Sequence, residues 1–355
     1  MLKRPYLCTA EQFIIHHARF IIKNIIIMQH KNYFAIATLG AAVLALSLTA
    51  CSGKKESRVD ADGTLHGEIS LSGAFALYPL AVQWANEFQK LHPDVKIDVS
   101  AGGAGKGVTD AIAGVVDFGM VSRDLSAAEE ERGAVGFAVA KDAVVPTINA
   151  NNPVYSDLRK HGITRDDLVA LWIKGEKKTW GQVAGTSDAT QIVVYTRSDA
   201  CGAAETWALY LGGKQEDLQG TAVYGDPGLA AAIQKDVNGL GLNNIGYAYD
   251  TKTGKPNPGI AVAPIDVNAN GQIDPEEDFY DTKEGVVKAI ADGRYPSPPA
   301  RDLYFVSKGV PTDPVVVAFL EYILTAGQKE NGPQGYIEIP QEKLDAGLKK
   351  LGVEK

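Results

Sequence analysis

Lys96-Ile-Asp-Val-Ser-Ala-Gly-Gly-Ala-Gly-Lys-Gly107 is the stretch on which the fold turns. Lys96 to Ser100 alternates polar and apolar residues as a half-buried strand does. Glycine then stands at 102, 103, 105 and 107, and Val108, Ile112 and Val115 follow at helical spacing. Glycine between a strand and a helix lets the chain bend sharply, and it leaves the first N–H groups of the helix open to a partner. The same order recurs twice. His66-Gly-Glu-Ile-Ser-Leu leads through Ser72-Gly-Ala-Phe75 into Leu77, Leu80, Trp84, Phe88 and Leu91, and His92-Pro93 stops that helix. Gln191-Ile-Val-Val-Tyr-Thr leads through Arg197-Ser-Asp-Ala-Cys-Gly202 into a helix with Trp207 and Leu211. Three such units predict an α/β protein.

Open N–H groups and the helix dipole together attract an anion. One such turn is also the ordinary connection of any α/β fold. Three turns, one of them led by Arg197, predict convergence on an oxyanion.

Composition narrows the partners. The chain has 355 residues, with 35 Lys and Arg against 43 Asp and Glu. The first 50 residues hold five basic residues and one Glu, so removing them leaves 30 against 42, a formal charge of −12. The 305 residues from Cys51 onward are long for one small domain and suit two lobes. Phosphate backbones demand clustered cations, so nucleic acid is not an expected partner. Acidity gives no long-range pull on anions either, so an anion site here has to work by local geometry. Cys8, Cys51 and Cys201 make no disulfide framework, and His66, His92 and His161 are too scattered for a Cys/His metal site. No HExxH, GxSxG or Walker loop occurs. The aromatic residues are spread along the chain and read as core.

Leu46-Ser-Leu-Thr-Ala-Cys51 closes an apolar run, Tyr33 to Ala50, that begins behind the basic Met28-Gln-His-Lys-Asn. That is the pattern of a lipoprotein signal. It implies cleavage before Cys51, acylation of the Cys51 thiol, and a domain held on a membrane outside the cytoplasm, in the periplasm or at the cell surface. A single transmembrane helix is the bland alternative, since 18 residues just suffice to span a bilayer. The run ends on a cysteine and a polar stretch, however, not on basic residues. Met28 begins a complete signal by itself. Residues 1–27 therefore read as an upstream extension outside the native protein, 28–50 as the signal peptide, and 51–64 as a lipid-anchored flexible tether.

A longer series of pieces, in order, carries a family resemblance. Ser72-Gly-Ala-Phe and Gly102-Gly-Ala-Gly-Lys-Gly are followed by Val116-Asp-Phe-Gly-Met-Val-Ser-Arg-Asp-Leu-Ser. Then come Val144-Val-Pro-Thr-Ile-Asn-Ala-Asn-Asn-Pro-Val, Gly162-Ile-Thr-Arg-Asp-Asp-Leu, Thr179-Trp180-Gly181, Arg197-Ser-Asp-Ala-Cys-Gly, Asn244-Ile-Gly-Tyr and Arg301-Asp-Leu-Tyr-Phe-Val. Over nearly all of 66–352 the chain resembles the phosphate-binding proteins of bacterial ABC importers. The resemblance implies a periplasmic-binding-protein fold: two α/β lobes, a central hinge and a ligand cleft. Lobe one would comprise 65–145 plus 296–355, and lobe two 146–295. It implies a monomeric binding protein, not an enzyme, whose partners are inorganic phosphate or a similar oxyanion and the subunits of an ABC permease. The implied ligand set is Ser72, Gly73, Ala74, Phe75, Gly103, Ala104, Gly105, Ser122, Arg123, Arg197, Cys201, Gly202 and Ala203, with backbone amides near Ala74, Phe75 and Gly105 as donors.

The departures bear on specificity. Where the family usually has hydroxyls, this chain has Ala74, Ala104, Cys201 and Ala203, whereas Arg197 and Gly202 match. Where the family often has Ser-Asp, this chain has Ser122-Arg123. A carboxylate accepts the proton of a protonated oxyanion, while arginine donates to any oxyanion. The change predicts weak separation of phosphate from sulfate, or capture of another oxyanion such as arsenate, unless Asp124 or Asp199 restores an acceptor. Two further classes stay open. Cys201 near Arg197 admits a nucleophile reading, which lacks a nearby histidine base. A sensor or interaction lipoprotein that has lost the ligand is the other, because fold does not fix function.

Asp266-Val-Asn-Ala-Asn-Gly-Gln-Ile-Asp-Pro-Glu-Glu277 fits D-x-[DN]-x-[DN]-G-x5-E. Asp266, Asn268, Asn270, Gln272 (by its carbonyl), Asp274 and Glu277 hold the positions that surround calcium, and Gly271 makes the turn. The preceding Ile260-Ala-Val-Ala-Pro-Ile is strand-like, so no helix–loop–helix pair is expected. An acidic surface turn is the bland alternative. A calcium here would be structural, in lobe two.

Overall fold

The computed structural model describes residues 57–176 and 178–353. The 1–27 extension, the 28–50 signal, Cys51 and the tether as far as residue 56 lie outside them. From residue 58 the segment expected as tether is folded. β1 (Arg58–Val59) pairs antiparallel with the start of β2 (Leu65–Gly73). Asp62 fixes the intervening turn by accepting the Thr64 amide at 3.0 Å, and Asp60 accepts from Arg58 at 3.0 Å. Asp and Gly serve a tight turn as well as they serve a linker, so composition did not separate the two.

β3 (Val95–Ala101) and β4 (Phe118–Val121) both run parallel to β2. The helix Tyr78–Leu91 lies between β2 and β3, and Ala104–Ala113 between β3 and β4. Two expected apolar positions are not buried: Leu91 ends its helix 63 % exposed, and Val115 is 68 % exposed. Gly114 adopts a left-handed φ of 70° and ends the second helix before Val115.

β5 (Ala134–Asn149) joins the two ends of the main sheet. The remaining strands are β6 (Ile163–Thr164), β7 (Val193–Arg197), β8 (Thr221–Val223), β9 (Gly239–Asn244), β10 (Ile260–Val262), β11 (Ile265–Asp266) and β12 (Ala300–Lys308). The first part of β5 pairs antiparallel with β12, from Ala134–Lys308 to Ala143–Ala300. From Val144 to Ile148 its partner is β9, and from Thr147 to Asn149 β10 lies on the other edge. The sheet order is β1-β2-β4-β12-β5-β9-β7-β8, with β3 on β2 and β10 on β5, while β11 and β6 form a separate parallel pair.

Burial follows the change of partner. One core draws Leu71, Trp84, Phe88, Phe118, Phe137, Phe305 and Phe319 from 65–140 and 303–351. A second draws Val144, Trp172, Trp180, Trp207, Leu240 and Tyr280 from 143–300. The main chain passes between them where Asp142 pairs with Arg301. No helix among the described residues is long and apolar enough to cross a membrane.

Candidate anion site

The three glycine turns meet. Gly73 has φ 135°, and a Cβ there would lie 2.3 Å from the Met120 carbonyl oxygen, so no side chain fits. Its own carbonyl accepts the Gly102 and Gly103 amides at 2.8 and 3.0 Å, which ties the first turn to the second. The third turn closes on both. Gly105 N donates to the Ala200 carbonyl at 3.2 Å, and a Cβ on Gly202 would lie 2.2 Å from Ser122 O. Ala104 and Ala203 are buried beside them.

Arg197, the last residue of β7, is the cation of this junction, and its side chain is 0 % exposed. Nε and Nη2 donate to Asp199 at 2.9 and 2.7 Å, and Nη1 donates to Asp226 at 2.7 Å. These bonds use three of the five guanidinium donors. Burial pulls its pKa down, but Asp226 and Asp199 more than offset this and hold it above the ordinary value. Phe75 covers Arg197 with its ring centroid 5.9 Å from Cζ, within cation–π range. Tyr224 packs edge-on against Phe75, and Tyr247 donates to the Phe75 carbonyl at 3.2 Å.

Other expected groups are engaged elsewhere. Ala74 N donates to Met120 O at 2.8 Å, so two of the expected amide donors, those of Ala74 and Gly105, hold backbone carbonyls here. Ser72 donates to Asp110 at 2.6 Å. Arg123 is fastened to Glu129 by two bonds of 2.7 and 2.8 Å, and its Nε lies 2.8 Å from Glu205. Those bonds hold the Glu129 carboxyl down at about 2. Arg123 is therefore a largely buried ion-pair clamp, and the acceptors beside Arg197 are Asp199 and Asp226. Asp124 accepts from Tyr304 at 2.7 Å. Asp199, one of the two acceptors left open when Arg123 takes the place of a carboxylate, thus lies beside Arg197 together with Asp226. Cys201 caps the helix Gly202–Leu211, with its sulfur accepting from Ala204 N at 3.4 Å. Burial pushes its thiol up to about 12, which leaves almost no nucleophilic thiolate at neutral pH.

Sequence reading missed four residues around Arg197. Asp226 sits in the first turn of the helix Gly225–Lys235 and accepts from the Asn244 side chain as well as from Arg197. Asn244 in turn accepts from Arg301, which also donates to Gly202 O at 2.8 Å. Asp142 faces Arg301 at 3.2 Å from Nε, and neither of its oxygens accepts a hydrogen bond. Asn244 and Arg301 stood in the family pieces without a role. Asp142 could have been found as a carboxylate inside the apolar run Phe137 to Ile148, since a buried charge needs a partner.

The 266–277 loop leaves β11 at Asp266, which is fully buried. Asp266 accepts the Asn270 and Gly271 amides at 3.2 and 2.8 Å, Asn268 accepts Asn270 N at 3.0 Å, and Asn270 accepts Gln272 N at 2.9 Å. Glu277 is buried and accepts Val267 N at 2.9 Å and Asp274 N at 3.3 Å. The side-chain amides of Asn268 and Asn270 both donate to Asp274. Among the described residues, no three His, Cys, Asp or Glu side chains gather as a metal set. In this loop the amide side chains of Asn268, Asn270 and Gln272 separate Asp266 from Asp274.

Two α/β cores joined by crossing strands, with glycine turns closing over the buried Arg197, define a bilobal solute-binding protein. A family model described as a PBP superfamily domain matches residues 58–326, and the chain belongs to that family. A relative named phosphate-binding protein PstS, from Pseudomonas aeruginosa, is 27 % identical over 355 residues, covering 92 % of this chain and 100 % of the relative. The crystal structure of an ABC-type phosphate transport receptor from Vibrio cholerae has a TM-score of 0.55 at 19 % identity, covering 77 % of this chain and 100 % of that one. A high-affinity periplasmic phosphate-binding protein bound with phosphate, PfluDING, has a TM-score of 0.61 at 15 % identity, covering 79 % and 93 %. At these identities the structural likeness is one of fold.

Proposed function

We propose that this chain captures inorganic phosphate between two lobes, outside the cytoplasm, and delivers it to the permease of an ABC importer. The observation that carries the reading is the meeting of turns from both cores over Arg197, through Gly105 to Ala200 and Ser122 to Gly202. Lobe one is 65–145 plus 296–355 and lobe two is 146–295, hinged where Asp142 pairs with Arg301. A ligand that touches both lobes favours the closed form by its contacts to each. Asp199 and Asp226 beside Arg197 suit a ligand that brings protons: the O–H groups of phosphate donate to carboxylates that repel sulfate. Relatives named for phosphate binding support the choice of anion.

Two further parts belong to the proposal. Acylated Cys51 anchors the protein, supported by Leu48-Thr-Ala-Cys after the apolar run. Calcium fills the 266–277 loop, supported by the 12-position match and by the inward-turned oxygens of Asp266, Asn268 and Asn270. Isothermal titration of residues 51–355 with phosphate, sulfate, arsenate and molybdate tests the ligand. Absence of any response at millimolar phosphate would reject it in favour of a sensor or interaction role.

A further inference from the structure

Five buried ionisable side chains form one string. Asp199 and Asp226 hold Arg197, Asn244 bridges Asp226 to Arg301, and Arg301 faces Asp142. None of the five side chains is more than 7 % exposed. Three carboxylates thus face two guanidiniums, a net charge of −1, before any ligand arrives. Phosphate adds at least one more negative charge where little water can screen it, which is strongly unfavourable unless a proton follows.

Hydrogen bonding decides where that proton rests. Both Asp199 oxygens accept from the Arg197 fork, and Asp226 accepts from Arg197 and from Asn244. Protonating either one weakens a charge-assisted bond. Asp142 has the least to lose, because neither oxygen accepts a hydrogen bond and Arg301 Nε, 3.2 Å away, holds it only as an unaligned ion pair. The groups that face Asp142 are Arg301 of β12, Asp226 of the 225–235 helix, and Tyr336. The Tyr336 hydroxyl is committed to the Ala76 carbonyl at 2.7 Å. Burial, opposed by Arg301 and reinforced by Asp226, pushes the Asp142 carboxyl up to about 7.

We propose that Asp142 is the proton acceptor linked to anion binding: when phosphate settles beside Arg197, the Asp142 carboxylate takes one proton from solvent and becomes the neutral acid. This rests on Arg197 being the anion site. Asp142 is a positioning residue in this scheme. It touches the ligand only through the string, and it sets the pH range in which the site accepts an anion.

Titration calorimetry with phosphate at about pH 8, in buffers of different ionisation enthalpy, counts the protons taken up. Wild type should take up about one proton more per phosphate than Asp142→Asn, and the excess should vanish below about pH 6, where Asp142 is already protonated. Asp142→Asn should bind phosphate about tenfold more tightly than wild type at pH 8 and about equally at pH 6. If the variant does not fold, infrared difference spectra of wild type with 13C-labelled aspartate serve instead, and phosphate should raise a protonated-carboxyl band at pH 8. Equal proton uptake by wild type and variant, or no such band, overturns the assignment while leaving phosphate binding intact. Failure of wild type to bind phosphate at all removes the anion-site reading, and this inference with it.

Discussion

Arg197 and Arg301 are both buried, both lie at strand ends and both face carboxylates, yet their surroundings have opposite character. Arg197 stands at the mouth of a glycine turn, with its fork matched bond for bond by Asp199 and a third bond to Asp226. Arg301 stands where the chain crosses between cores, and the carboxylate it faces has no aligned donor. The first arrangement is saturated and rigid, as suits a group that presents a fixed charge. The second is short of hydrogen bonds, as suits a group whose charge can change. On the proposals above, the satisfied ion pair in this buried string holds the anion and the unsatisfied one adjusts to it.

Substitution at the two arginines should break this comparison most visibly. Arg197→Ala removes bonds to charged groups worth roughly 1.5–3 kcal/mol each, so phosphate affinity should fall by about an order of magnitude or more in calorimetry. Arg301→Gln should leave affinity within severalfold at pH 6, because Asp142 can stay neutral there. Equal losses in the two variants would show that the arginines act alike.

Next in size is Gly202→Ala. Its Cβ would meet Ser122 O at 2.2 Å, so the turns of the two cores cannot close as they do here. Weaker phosphate binding and a larger radius of gyration by small-angle scattering in the presence of phosphate are expected. An unchanged radius would mean that the junction is not the closing surface.

How far these regions were legible in the sequence follows from their chemistry. Turns such as Gly102 to Gly107 announce themselves, because only glycine tolerates the backbone angle at Gly73 and the close approaches at Gly73 and Gly202. Strands and helices of those units fell where alternation and helical spacing put them, apart from Leu91 and Val115 at helix ends. The partners of Arg197 did not announce themselves. Asp226 is 29 residues away and Asn244 a further 18, and nothing in local spacing says that a fold will stack them. Arg123 misled for the same reason: its neighbour in sequence, Ser122, lies at the junction, while its guanidinium turns to Glu129 and Glu205.

Asp142 also separates the two arginine sites through stability. Its folded pKa of about 7 lies above the ordinary carboxylate value of 3.8. The folded protein therefore retains a proton that the unfolded chain releases, and stability falls as pH rises from about 4 through about 7, by up to about 1.4 kcal/mol per unit. Asp142→Asn should raise the melting temperature at pH 8 relative to wild type and change it little at pH 4. A pH-independent difference would mean that Asp142 does not titrate in this window.

The 266–277 loop offers a smaller effect, remote from both arginines. Calcium should raise the melting temperature with concentration and EDTA should lower it, while Glu277→Ala should abolish the response. Identical melting curves in EDTA and in millimolar calcium would eliminate the metal. Cys201→Ser should have the least effect of all, leaving phosphate affinity within about twofold, since a hydroxyl caps the Ala204 amide at least as well as a thiol does.

On the proposed reading, turns from two cores hold one protonated oxyanion on Arg197 between Asp199 and Asp226. Calorimetric titration of residues 51–355 with phosphate and with sulfate at neutral pH tests it most directly. Saturable heat at one phosphate per chain is expected, and none with sulfate at the same concentrations. Equal affinity for sulfate, or no phosphate heat at millimolar concentration, would contradict it.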